Sequence, residues 1–160
     1  MIQRIQTVFL ILVIAGIIAY LLLPFWIKLD PVNGTELTGT PFFLKQSSPG
    51  NNEATIIYMP YIFCGVGAIL VIGIASLEIF QYKNRLTQIK LGLVNSILLT
   101  LVLFFSAWLG MQAQRNFIPG VAGTFKPGLF AIVIAMVFNS LANRYIKKDE
   151  DLVRSADRIR

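Results

Sequence analysis

Histidine is absent from the 160 residues, and cysteine occurs once, at Cys64. Without histidine the chain lacks the commonest metal ligand and the side chain best suited to proton transfer near neutral pH. A lone thiol cannot form an internal disulfide, which excludes Cys-rich zinc sites and membrane thiol oxidases that work through paired cysteines. Charge is scarce as well: 14% of residues are charged against 56% apolar, and mean hydropathy is +0.69. Those values lie outside the norm for a soluble domain. No Gly-rich phosphate loop of the Walker type occurs, and Ser76 and Ser106 have no histidine or embedded lysine to activate them. No cofactor and no enzymatic activity are expected.

What the chain has is long apolar runs. A helix needs roughly 20 apolar residues to cross the roughly 30 Å hydrocarbon core of a bilayer. Segments 7–27, 56–81, 91–112 and 127–146 meet or approach that length, which predicts an all-α, four-transmembrane-helix bundle forming one membrane domain over residues 1–160. The first run ends at Leu23-Pro24-Phe25-Trp26 with no small-residue cleavage site, so it reads as an uncleaved span and not as a secretory signal.

The formal net charge of +6 could suggest nucleic acid, but the cations gather at the ends of apolar runs and not on a soluble face. With both termini inside, Arg4, Lys83, Arg85, Lys90, Arg144, Lys147, Lys148, Arg154, Arg158 and Arg160 are cytoplasmic, while Lys28, Lys45, Arg115 and Lys126 are outside. The short-loop cation rule therefore predicts an N-in/C-in protein of the bacterial cytoplasmic (inner) membrane. The lipid bilayer is then its first partner, and nucleic acid is not one.

Loop 28–55 is too long for a plain connector. Asn33-Gly34 between apolar segments predicts a β-hairpin, and Phe42-Phe43-Leu44 could supply a further strand of a small extracytoplasmic cap. Pro127 suits the first turn of the last helix. Within the bilayer, helices associate at small residues. Ala15 and Ala19, Ser106 and Gly110, and Ala131 and Ala135 are each spaced four apart; the second span, with Gly65, Gly67, Ala68, Gly73, Ala75 and Ser76, is predicted to be the central helix.

Once this topology is drawn, Glu78, Asn95, Ser96, Asn139 and Asn143 share one depth near the cytoplasmic helix ends. An embedded carboxylate is costly and marks a candidate site, here a cytoplasm-facing pocket for a small molecule or lipid headgroup. The alternative is structural: Glu78 pairs with Arg4, Lys83 or Arg85, and the asparagines bond one another across helices. No ionisable residue lies at mid-span, which argues against ion-coupled transport. The tail, residues 147–160, is predicted to prolong the fourth helix, with Leu152, Ala156 and Ile159 on one face and Arg154, Arg158 and Arg160 available, together with Arg4, to a partner or to anionic lipid.

The ends, Met1-Ile-Gln-Arg-Ile-Gln6 and Lys148-Asp-Glu-Asp-Leu-Val-Arg-Ser-Ala-Asp-Arg-Ile-Arg160, resemble an uncharacterised family of four-span inner-membrane proteins from Bacteroidota. That resemblance implies the four-span architecture and a domain of unknown function, with no activity or cofactor attached. The expected role is a non-enzymatic accessory or assembly subunit that binds a protein partner from its cytoplasmic side. The competing expectation is a ligand-binding bundle, or simple transporter, with a pocket near Glu78.

Overall fold

A computed structural model describes residues 2–49, 54–82, 84–117 and 120–157, with the side chains of 2–4, 154, 156 and 157 outside that description. Its helices are α1 (Ile2–Leu22), α2 (Ile62–Phe80), α3 (Arg85–Asn116) and α4 (Pro127–Asp157). All four are long and apolar enough to cross a membrane. A small antiparallel sheet is built from β1 (Trp26–Leu29), β2 (Glu36–Gly39), β3 (Leu44–Ser47), β4 (Thr55–Ile57) and β5 (Thr124–Phe125), in the order β4-β3-β2-β1-β5.

Helix limits differ from the apolar runs for identifiable reasons. The first helix stops at Leu22, not at residue 27. Pro24 disfavours helical backbone at Leu23, and Trp26-Ile27-Lys28-Leu29, apolar enough to pass for helix, is strand β1. Likewise Ile56 and Ile57 belong to β4, and α2 starts only after Pro60. Helix α3 begins at Arg85, where the side chain of Asn84 accepts a 3.3 Å bond from Thr87 N and caps the first turn. The tail continues α4 to Asp157, in keeping with the expectation that it prolongs the fourth helix.

Helices α1, α2 and α3 each bury a stripe whose members are spaced alternately three and four residues apart. On α1 it is Gln6, Leu10, Val13, Ile17 and Tyr20; on α2, Cys64, Ala68, Val71, Ala75 and Glu78. On α3 it runs Gln88, Gly92, Asn95, Leu99, Val102, Ser106 and Leu109. This repeat is the seam of near-parallel, left-handed bundles. Outside the seam the helices remain apolar, with Phe63, Leu77, Phe104 and Phe130 more than half exposed.

The helices form a ring in chain order, closed by α1 against α4, the most extensive of the four contacts. Gly16 makes that contact possible: a Cβ there would stand 3.2 Å from Ala135 Cβ and 3.3 Å from Ala131 O. The small-residue face expected on α4 is thus in use, but on α1 it is Gly16 that fills it, while Ala15 is exposed. The second helix is not the central one. It shares its least extensive face with α1, and Gly73 has nothing within 4 Å, so its glycines do not all mark close packing.

The sheet closes one end of the bundle. Trp26 pairs with Gly39 and Leu29 with Glu36 in the β1–β2 hairpin, whose turn includes Gly34 at φ 64, a left-handed conformation that suits glycine. Trp26 is buried between Gly110 of α3 and Gly123, either of which would meet its indole if it carried a Cβ. Phe42 lies against Gly65 of α2, and Gly65 N donates to Pro41 O at 2.9 Å. Strand β5 comes from the α3–α4 connection and pairs with β1, so both connections at this end join one sheet.

Candidate functional site

At the sheet-distal end the buried seam changes from apolar to polar. Helix α2 contributes Glu78, α3 contributes Gln88, Asn95 and Ser96, and α4 contributes Asn139 and Asn143. The depth shared in the sequence is a layer in space, and hydrogen bonds join its α3 and α4 members. Asn95 Nδ2 donates to Asn139 Oδ1 at 3.2 Å. Asn139 Nδ2 donates to Ser96 Oγ at 2.8 Å and Gly92 O at 3.3 Å. Asn143 Nδ2 donates to the same two acceptors, Gly92 O at 3.1 Å and Ser96 Oγ at 3.3 Å, while Ser96 Oγ donates to Gly92 O at 2.9 Å.

Gly92 is the residue on which this layer is built. Its carbonyl accepts three side-chain donors, and a Cβ there would collide with Asn143 Oδ1 and stand 3.0 Å from Glu78 Oε1. Gln88 adds a bond from Nε2 to the backbone oxygen of Glu78 at 3.0 Å, tying α3 to the end of α2. Gln6 of α1 is buried at this end of its helix with Nε2 unpartnered. Gln6, Gln88 and Gly92 escaped the sequence reading, although Gln88-Gly92-Asn95 carries the four-then-three spacing of one helix face.

Two expectations for Glu78 need correction. It is 0% exposed, so its carboxylate does not line a pocket open to solvent. Among the described residues neither of its oxygens has a hydrogen-bond partner. Arg85, one of the proposed ion-pair partners, instead meets Asp149, with Nη2 3.1 Å from Oδ2, because α4 runs far enough to pass the first turn of α3. The side chain of Arg4, and all of Lys83, lie outside the described residues.

Beyond the Arg85–Asp149 pair, α4 projects with Leu152 49% and Val153 40% exposed. The side chains of Arg154 and Ala156, and the whole of Arg158, Ile159 and Arg160, lie outside the described residues. Of the tail face drawn from the sequence, Leu152 is therefore the member whose exposure is described.

At the sheet end, Lys28 is not the free outer-loop cation that counting charges makes it. It is 1% exposed, and Nζ donates to Gln114 O at 3.0 Å and Phe117 O at 2.7 Å, capping the carboxyl end of α3. Burial lowers its pKa, an effect the Asp30 carboxylate partly offsets. Asp30 accepts from Val32 N at 2.9 Å and Asn33 Nδ2 at 2.8 Å, which hold its pKa below the usual carboxylate value. Nothing local in the sequence marks Lys28, because its acceptors are 86 and 89 residues away.

Between these ends the seam is apolar save for one pair. Tyr20 Oη lies 2.8 Å from Ser106 Oγ, which donates onward to Val102 O at 2.7 Å. Ser76 bonds Ile72 O of its own helix at 2.8 Å, the usual fate of an isolated helical serine. A cavity of about 350 Å³ opens between α2 and α3 beside Cys64, Gly67, Val102 and Phe105. Among the described residues no group of three or more His, Cys, Asp or Glu could hold a metal.

A family described as a domain of unknown function (DUF4293) matches residues 2–159. No curated protein matches the chain.

Proposed function

The chain belongs to the DUF4293 family, and from that premise we propose that it is a non-enzymatic membrane protein acting as an accessory or assembly subunit. It crosses the bacterial cytoplasmic membrane four times, with both termini in the cytoplasm and the sheet outside. The apolar outward faces of all four helices support the spanning reading, since water would leave Phe63, Phe104 and Phe130 uncovered and lipid would not. The excess of Lys and Arg at the sheet-distal ends supports the orientation.

The observation that carries partner binding is the projecting end of α4. Leu152 lies about 20 Å along the helix axis from Asn139 at 1.5 Å per residue. The Arg85–Asp149 pair fixes this segment against α3 and leaves Leu152 and Val153 uncovered. A mixed-charge helix end with an apolar edge suits a protein surface of like character.

Purification of the whole chain in mild detergent tests this. A stoichiometric protein that is retained by the native chain and lost with Leu152→Asp and Val153→Asp supports the reading. A chain that purifies alone, or holds its companion equally well after both substitutions, refutes it. Modification of Arg158 by a reagent applied outside intact cells would refute the orientation. The competing reading, a cytoplasm-facing ligand pocket at Glu78, has less support because that carboxylate has no exposed surface.

A further inference from the structure

Among the described residues, four buried acceptor oxygens in the polar layer have no donor: both carboxylate oxygens of Glu78, Asn95 Oδ1 and Asn143 Oδ1. The amide orientations that expose these oxygens are fixed by the other bonds of each group. Turning Asn143 over would set its oxygen against Gly92 O, where its nitrogen now donates at 3.1 Å. Turning Asn95 over would likewise oppose its oxygen to Asn139 Oδ1. Asn143 Oδ1 is therefore committed to the side of Gly92 that Glu78 Oε1 also overhangs. Residue Asn95 lies one turn further along the same buried stripe of α3.

Two oxygen acceptors crowding one point away from bulk solvent repel each other, and a buried carboxylate with no donor is among the costliest groups a protein can hold. The surrounding elements supply no counter-charge among the described residues. On α3, Arg85 is held by Asp149 and Gln88 by the backbone of Glu78, while Lys90 is exposed. On α4, Asn139 is engaged by Ser96 and Gly92, and Arg144 and Lys147 are exposed. On α1, Gln6 Nε2 donates to none of these oxygens.

We infer that Glu78, Asn143 and Asn95 form a binding site for one monovalent cation, taken up either as a proton or as Na⁺. Oxygen-only donors with one negative charge are the ligand chemistry of hard cations. A proton carried by Glu78 would be donated to Asn143 Oδ1, and Na⁺ would be shared by the carboxylate and Asn143 Oδ1, with Asn95 the nearest further amide along α3. Either turns an acceptor–acceptor contact into an attraction. The site joins α2, α3 and α4, so occupancy strengthens their association at the end of the bundle that the sheet does not hold.

The test is thermal unfolding of the full chain in detergent, followed by tryptophan emission, for the native protein and Glu78→Gln. One titration exchanges choline for Na⁺ at constant ionic strength and alkaline pH; the other lowers pH in choline without Na⁺. Stabilisation of the native chain by Na⁺ that Glu78→Gln lacks identifies the alkali ion. Stabilisation only by acid, again relative to Glu78→Gln, identifies the proton. Curves for the two proteins that run parallel in both titrations overturn the site. Should Glu78→Gln fail to fold, Asn143→Ala serves: it is expected to raise the half-effective cation concentration about tenfold, the equivalent of about 1.4 kcal/mol, and an unchanged midpoint overturns the site.

Discussion

Lys28 offers the sharpest energetic test of how the sheet is attached to the helices. Its ammonium donates to two carbonyls at the end of α3 from a position that is 1% exposed. Lys28→Met keeps most of the aliphatic volume and removes both donors. Each hydrogen bond from a charged donor contributes about 1.5–3 kcal/mol, and methionine makes neither. Relief from burying an ammonium returns part of that sum. The expected net loss is about 2 kcal/mol, or a fall in Tm of roughly 4–8 °C for a chain of this size. Because Trp26 pairs in the same strand and sits between Gly110 and Gly123, its emission should shift to the red below the main transition as the sheet loosens from α3. A Met variant as stable as the native chain would refute the reasoning, since desolvation of the ammonium would then outweigh both bonds.

Other consequences can be measured in the same preparation. Gly16→Leu should overpack the α1–α4 contact and cost about 1–3 kcal/mol, whereas Gly73→Leu, with nothing within 4 Å to meet, should leave Tm within a degree or so; equal effects would contradict the packing described. Gly92→Ala should displace Asn143 and break its bonds to Gly92 O and Ser96 Oγ, lowering Tm by more than Gly73→Ala does. Asp30 has a folded pKa below its ordinary 3.8, so its contribution is present above that value and lost as pH falls through the folded one. Asp30→Asn should flatten the acid loss of sheet stability, read by Trp26 emission between roughly pH 5 and pH 2, and an unaltered acid profile would count against the turn hydrogen bonds as its cause.

Much of the architecture was legible because it rests on local patterns. Four apolar runs became four helices, and Asn33-Gly34 became the β1–β2 turn. The common depth of Glu78, Asn95, Ser96, Asn139 and Asn143 was readable once alternating helix directions were assumed. Errors arose where short apolar segments fit helix and strand equally, as at Trp26–Leu29 and Ile56-Ile57, and there Pro24 and Pro60 held the deciding signal. Long-range facts were not legible. Thr124 and Phe125 extend the sheet only because Ile27 and Trp26 lie beside them in space. The burial of Lys28 depends on where α3 ends, and Arg85 does not reach Glu78 because Asp149 on the lengthened α4 holds it.

Strand β5 has only two residues, yet it fastens the third-to-fourth helix connection to the hairpin that follows the first helix. All four rods are thereby riveted at one extremity, by backbone ladders and by the indole wedged there. Any rocking of one rod against another must swing about that rivet, with travel that widens toward the end where a carboxylate and a fringe of amides meet. The molecule is built like tongs: hinged at the sheet, with two of its jaws, α3 and α4, clasped by amides and an ion pair.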